Sequence, residues 1–184
     1  FDEEAVWLCA RCEDVGDRNG RKLRNMVETH GEVVHKIEAV HLGTNSQQKK
    51  AKKYDSKTFE GLRDTVHLVR GCKVMLTRNV NYAKGLANGT RGKVVGIVYG
   101  PGGLGTFPEA IVVDFPDYDG ELHGKFYDDE PTWVPILPMT SRQEGTRLMR
   151  TQFPLAAAFA LTVNKAQGLT LKEGVVINLS LIHI

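Results

Sequence analysis

Gln152–Leu171 reads QFPLAAAFALTVNKAQGLTL, and the rest of the chain is interpreted around it. From Phe153 to Val163 every residue except Pro154 and Thr162 is apolar. Pro154 suits the first turn of a helix, where a missing N–H costs nothing. Ala156, Ala157, Ala158 and Ala160 favour helix and leave little side-chain bulk, so neighbours can approach closely. The pattern predicts a helix over 153–163, apolar on all sides and therefore buried between layers. It is shorter than the ~20 residues a bilayer span requires. Thr162, Asn164, Lys165 and Gln167 then bring polar groups together, and Gly168 supplies a left-handed stop. On a helix Thr162 and Lys165 share one face and Asn164 and Gln167 another, so one helix end can address two partners. The plainer alternative is an Ala-rich core helix whose Lys165 only complements the helix dipole.

The chain has 184 residues, 41% hydrophobic and 25% charged, with a net charge of +2. That is an ordinary globular composition, and no overall basic excess announces nucleic acid. Lys49, Lys50, Lys52, Lys53 and Lys57 crowd one stretch, read as a solvated loop; Asp114 to Glu130 is acidic. Cys9, Cys12 and Cys72 are an odd number, which argues against a closed disulfide framework. Cys9-Ala10-Arg11-Cys12 is a CxxC, and it keeps a redox or zinc protein open as an alternative. No signal peptide or membrane segment is visible. The chain starts at Phe1 and ends in Leu181-Ile182-His183-Ile184 without a cap, and is expected to be a fragment of a longer reading frame.

Along the chain, Ala5–Cys9 predicts a buried strand and Glu13–Glu28 a helix with Val15, Leu23, Met26 and Val27 as its apolar face. Glu32–Leu42 predicts a strand, Gly43–Lys57 a polar loop and Phe59–Asp64 a short helix. Gly71 marks a turn before a strand over Lys73–Leu76, and Asn88-Gly89 marks another turn. Val94–Val98, Ile111–Phe115 and Thr132–Leu137 predict short strands between Gly, Pro and Asp clusters, the pattern of a barrel or small sandwich. Gly100 to Gly105 lacks the following Lys-Ser or Lys-Thr of a phosphate-binding P-loop. Val175–Leu179 predicts a buried parallel strand.

Three separate blocks, in order, carry a family resemblance. Asp14, Val15 and Asn19 open the first. Gly71, Val74, Met75, Leu76, Arg78 and Asn79, followed by Gly85, Leu86, Asn88, Gly89 and Gly92, make the second. Gln152-Phe153-Pro154 with Thr162, Lys165, Gln167, Gly168 and Thr170 makes the third, with Asn164 and Ala166 where the family most often has His and Ser. Together these resemble the second RecA-like motor domain of the Pif (petite integration frequency) and RecD-like superfamily 1 DNA helicases, which move 5′ to 3′. The third block resembles their motif V.

The resemblance implies an α/β fold: a RecA-like parallel sheet with helices on both faces, carrying an inserted small β-barrel module. It divides the chain into 1–88 and 151–180 as motor domain, 89–150 as the inserted module, and 181–184 as a foreign or disordered tail. It implies single-stranded DNA contacts by Thr162, Asn164, Lys165 and Thr170, and nucleotide contacts by Arg78, Gln167 and Gly168. ATP and Mg2+ are the implied cofactors, held mainly by a first motor domain that would carry the Walker A loop and acidic pair; neither motif occurs here. The implied partners are single-stranded, forked or structured DNA and that first motor domain in the same chain, with no membrane. DNA repair, recombination and telomere maintenance follow as roles, within the cell and in nucleus or mitochondrion if the source is eukaryotic. The stretch by itself is expected not to hydrolyse ATP. A non-catalytic module that grips single-stranded nucleic acid is the competing reading.

Overall fold

A computed structural model describes residues 5–178. The elements in chain order are β1 (Val6–Cys9), α1 (Cys12–His30), β2 (His35–Glu38), β3 (Val40–Leu42), α2 (Asn45–Lys52), β4 (Thr65–Leu68), β5 (Lys73–Leu76), β6 (Arg91–Val98), β7 (Ala110–Asp114), α3 (Gly120–His123), β8 (Trp133–Ile136), β9 (Met139–Arg142), β10 (Met149–Gln152), β11 (Leu155–Ala157), β12 (Ala160–Thr162), α4 (Val163–Ala166) and β13 (Val175–Ile177).

Two parallel neighbours flank β1, in the order β12-β1-β13. Parallel strands need both faces covered. Val6 and Cys9 of the central strand are buried, and α1 lies against β1 and β12. Glu13 and Asp14 in the first turn of α1 suit its positive end, and Gly31 closes it at φ 65°, donating to the Val27 carbonyl at 2.9 Å. Strand and helix thus stand close to where the sequence places them.

The deciding stretch does not form the predicted helix. Residues 153–163 are two short strands, each taken up by a different sheet. In β11, Leu155, Ala156 and Ala157 pair antiparallel with Leu76, Met75 and Val74; in β12, Ala160, Leu161 and Thr162 pair parallel with Trp7, Leu8 and Cys9. Just before β11 the Pro154 carbonyl accepts from the Thr77 amide at 2.8 Å, and just after it the Ala158 amide donates to the Lys73 carbonyl at 2.9 Å. A helix here would leave the edges of β1 and β5 without partners in a buried setting, and that outweighs a helix preference worth a few tenths of a kcal/mol per residue. The alanines serve a different close approach. Asn19 of α1 reaches the backbone of the β11–β12 corner, with bonds to the Ala157 and Ala160 carbonyls at 3.1 and 3.2 Å and from the Ala160 amide at 2.9 Å.

A second sheet runs β11-β5-β6-β7-β8, all antiparallel, so β5 and β11 share it with β6 to β8. Val74, Leu76, Val94, Ile111, Val113, Ile136 and Leu155 fill its core. Its hydrogen bonding runs from β11 to β8, which are its outer strands. Leu137-Pro138 turns the chain out of this sheet, and β9 pairs instead with β10, which pairs with β3. Proline offers no N–H with which to continue the ladder. β7 pairs with β6 and β8, while β13 pairs with β1.

The Glu32–Leu42 strand is split: β2 joins β4, and β3 joins β10. The loop expected over 43–57 contains α2, started by a capping box in which Thr44 Oγ1 accepts from the Gln47 amide and Gln47 Oε1 from the Thr44 amide. The short helix expected over Phe59–Asp64 is a 3-10 turn over Lys57–Phe59, ended by Glu60 at φ 53°. Leu179, Ser180 and the 181–184 tail lie outside the described residues.

Arg150 organises the packing around α2. It is fully buried, and its guanidinium donates to the carbonyls of Leu62, Ala51 and Tyr54 at 2.9, 2.8 and 3.0 Å. Its guanidinium carbon lies 4.3 Å from the centre of the Phe59 ring. Asp64 approaches it at 3.9 Å and also bonds His41 Nε2 at 2.7 Å.

Candidate nucleic-acid interface

Cys9 and Thr162, the last residues of β1 and β12, lie side by side in the parallel register. In open α/β sheets ligands bind outside the carboxyl ends of the strands, and this is that end. Thr162 caps α4: its Oγ1 accepts from the Lys165 amide at 3.2 Å. The hydroxyl is thereby oriented, and its own O–H remains a donor for a ligand. Lys165, one turn on, stands on the same side.

Thr162 and Lys165 border a cavity of about 440 Å3 between α1, β4 and the β11–β12 corner. Leu23, Val66 and Leu161 contribute to its apolar wall, and Cys12, Arg24 and Arg63 to its polar one. Desolvation pushes the Lys165 ammonium below the ordinary lysine value, and the Arg63 guanidinium adds to the shift.

The other sequence-predicted residues are not gathered here. Asn164, Gln167, Gly168 and Thr170 are exposed and do not line the cavity. Gly168 is left-handed, at φ 79°. Leu169 and Leu171 anchor the loop after α4 on Val6, Met75, Ala158 and Leu161. Leu169 is also seated against Gly89, where an added Cβ would come within 2.8 Å of its Cδ2. The loop is thus tied to the Asn88-Gly89 turn, a contact no local pattern displays. Arg78 lies apart, at the end of β5. One of its guanidinium nitrogens pairs with Glu60, and Nη1 is buried without a partner. An unpartnered buried guanidinium nitrogen suits an anionic oxygen. Sequence reasoning missed Arg63, a single arginine between a turn and a strand, and nothing in its surroundings along the chain could have signalled it. It also missed Glu173, which pairs with Arg91 at 2.6 Å and fixes the segment before β13.

The CxxC cysteines have separate environments. Cys12 is exposed at the start of α1, whereas Cys9 and Cys72 are buried. Burial raises the Cys9 thiol, with Asp14 adding to it, and pushes Cys72 up to about 11. One thiol in the native chain is therefore expected to react rapidly with Ellman's reagent at pH 8, and all three after unfolding. Rapid titration of two or more native thiols would contradict this assignment.

A family profile described as the 2B domain of the DNA helicase Pif1 matches residues 62–97. Human ATP-dependent DNA helicase PIF1 is 29% identical over 167 residues, which is 91% of this chain and 22% of that protein. The chain thus spans about a fifth of the length of the curated relatives it matches. Among solved structures, the Pif1 helicase from Candida albicans superposes with a TM-score of 0.65 at 25% identity, over 95% of this chain and 38% of that one. The Bacteroides Pif1 helicase in complex with ADP-AlF3 and ssDNA gives a TM-score of 0.59 at 21% identity, over 96% of this chain and 34% of that one.

Proposed function

We propose that this chain, Pif1-like along nearly all of its length, supplies one single-stranded DNA grip and one wall of the ATP cleft in a 5′-to-3′ DNA helicase. The observation that carries the reading is the pairing of Thr162 and Lys165 at the carboxyl end of the parallel sheet, on the rim of a cavity that no carboxylate of the described residues lines. Thr162 donates its hydroxyl hydrogen to a backbone phosphate and Lys165 adds charge to it. Asn164 and Thr170, exposed on the same short segment, extend the contact along the strand. Arg78, Gln167 and Gly168 face the nucleotide in this reading, Arg78 through its free Nη1. ATP supplies a phosphoryl group whose transfer needs Mg2+ and a water-positioning acid. These belong mainly to a first motor domain, and among the described residues no three His, Cys, Asp or Glu side chains gather around a metal position. Closure of the cleft moves one grip relative to the other.

In the same reading, 89–150 is a module inserted between motor segments 1–88 and 151–180. Its strands β6 to β8 pair with β5 and β11 and not with the parallel sheet. The substrates are single-stranded and forked or structured DNA, which places the work inside the cell, in nucleus or mitochondrion for a eukaryotic source. Among the described residues no helix is long and apolar enough to cross a membrane.

The test is the affinity of the 184-residue chain for single-stranded DNA at several salt concentrations, for wild type and Lys165→Ala. Loss of a phosphate-contacting lysine weakens binding across DNA sequences and reduces the salt slope by about 1. The melting temperature should stay within about 2 °C, since Lys165 is exposed. An unchanged slope with a lowered melting temperature would remove Lys165 from the DNA site.

A further inference from the structure

The cavity beside Thr162 holds a second cation that the family motifs do not include. Arg63 lines it together with Lys165, and the two are close enough for the guanidinium to depress the lysine's charge. Among the described residues no Asp or Glu side chain lines the cavity, and Arg24 adds a further positive group. The carboxylate next in sequence, Asp64, is engaged with His41 at 2.7 Å and turned towards Arg150. Among the described residues neither Arg63 nor Lys165 has an ion-pair partner. Two like charges held together without a counter-charge raise the energy of the fold, and an anion between them removes that cost. The wall behind them is apolar, through Leu23, Val66 and Leu161, with Thr65 among its polar residues. About 440 Å3 is within the range of small-ligand sites and accommodates a nucleobase.

We propose that this cavity seats one nucleotide of the bound single strand, its phosphate between Arg63 and Lys165 and its base on the apolar wall. Arg63 is then a DNA-binding residue that comes from a different segment of the chain, just before β4, than Thr162 and Lys165. Its guanidinium suits a phosphate bidentately, whereas the lysine acts as a point charge. The strand would be held by β12–α4 and by the segment leading into β4. This rests on the single-strand reading above and adds to it a residue and a place for the base.

The experiment measures fluorescence anisotropy of the full 184-residue chain with a labelled oligo-dT and with an abasic strand of equal length, across a salt series. The variants are Arg63→Ala, Arg63→Lys and, as a charge-matched control on α2 away from the cavity, Lys49→Ala. Arg63→Ala is expected to weaken oligo-dT binding about five- to tenfold and reduce the salt slope by about 1. Lys49→Ala should leave both nearly unchanged, and Arg63→Lys should restore part of the affinity. Wild type should bind oligo-dT several-fold more tightly than the abasic strand, because apolar contact between the base and the cavity wall is lost in the latter. Arg63 is exposed and has a like charge beside it, so the melting temperature of Arg63→Ala should be no lower than that of wild type, which excludes a folding defect. If Arg63→Ala behaves as Lys49→Ala while wild type binds DNA, the inference is overturned and the single-strand reading stands. Equal affinity for the two strands overturns the base seat. If wild type binds neither strand, the single-strand reading fails and this inference with it.

Discussion

Arg150→Ala is expected to lower the stability of the chain by about 3–5 kcal/mol, the range for removing one partner of a buried charged network. The side chain is fully buried and bonds three main-chain carbonyls from the α2 region and the segment before β4. The Tyr54 and Leu62 carbonyls lie outside regular structure, while the Ala51 carbonyl, in the last turn of α2, also accepts from the Tyr54 amide at 3.2 Å. An orphaned buried carbonyl costs about 1–3 kcal/mol, and the guanidinium also packs on Phe59. Truncation would leave a large void beside Ala51, Phe59 and Leu62 in addition. For a chain of this size the melting temperature should drop by about 6–20 °C. Arg150→Lys should recover little, since one ammonium cannot span acceptors that a planar fork reaches in three directions. A loss below about 1 kcal/mol in urea unfolding would show that the network is replaceable by water.

Asn19→Leu is the second large effect, expected to cost about 2–4 kcal/mol. The substitution keeps the number and branching of the side-chain heavy atoms, so the loss reports hydrogen bonds rather than a void. Asn19 satisfies the Ala157 and Ala160 carbonyls and the Ala160 amide, which sit where β11 ends and β12 begins. Neither sheet supplies these groups with a partner at that corner. The substitution also changes the wall of the cavity that Thr162 and Lys165 border. Loss of stability should therefore be accompanied by weaker single-stranded DNA binding, measured below the lowered melting temperature. Full stability in Asn19→Leu would mean that water replaces all three bonds.

Gln152 shows the same economy of polar groups. It is fully buried, its Nε2 donates to the Ile37 carbonyl at 3.0 Å, and its Oε1 accepts from the Phe153 amide at 2.9 Å. The Gln-Phe-Pro opening of the deciding stretch is accordingly structural. It pins the crossover between β10 and β11, with Phe153 stacked on Phe107 at 5.4 Å between ring centres.

By itself the sequence determined the parts that local chemistry controls. The apolar run of β1, the amphipathic face of α1, β5 between two turns, and the Asn88-Gly89 turn all follow from side-chain period and backbone preference over a few residues. The three motif blocks in order likewise led to a Pif1-like chain with an α/β fold, and the comparisons show the same likeness. Only the tertiary structure decided what 153–163 would be. An apolar stretch rich in alanine is compatible with a buried helix or a buried strand, and periodicity cannot separate them. The choice fell to β5 and β1, some eighty and one hundred and fifty residues earlier in the chain, whose open edges need hydrogen-bond partners. Arg63 belongs to the same class. It meets Lys165 at a cavity whose walls come from distant segments, and a charge pair assembled by folding leaves no spacing along the chain from which to read it.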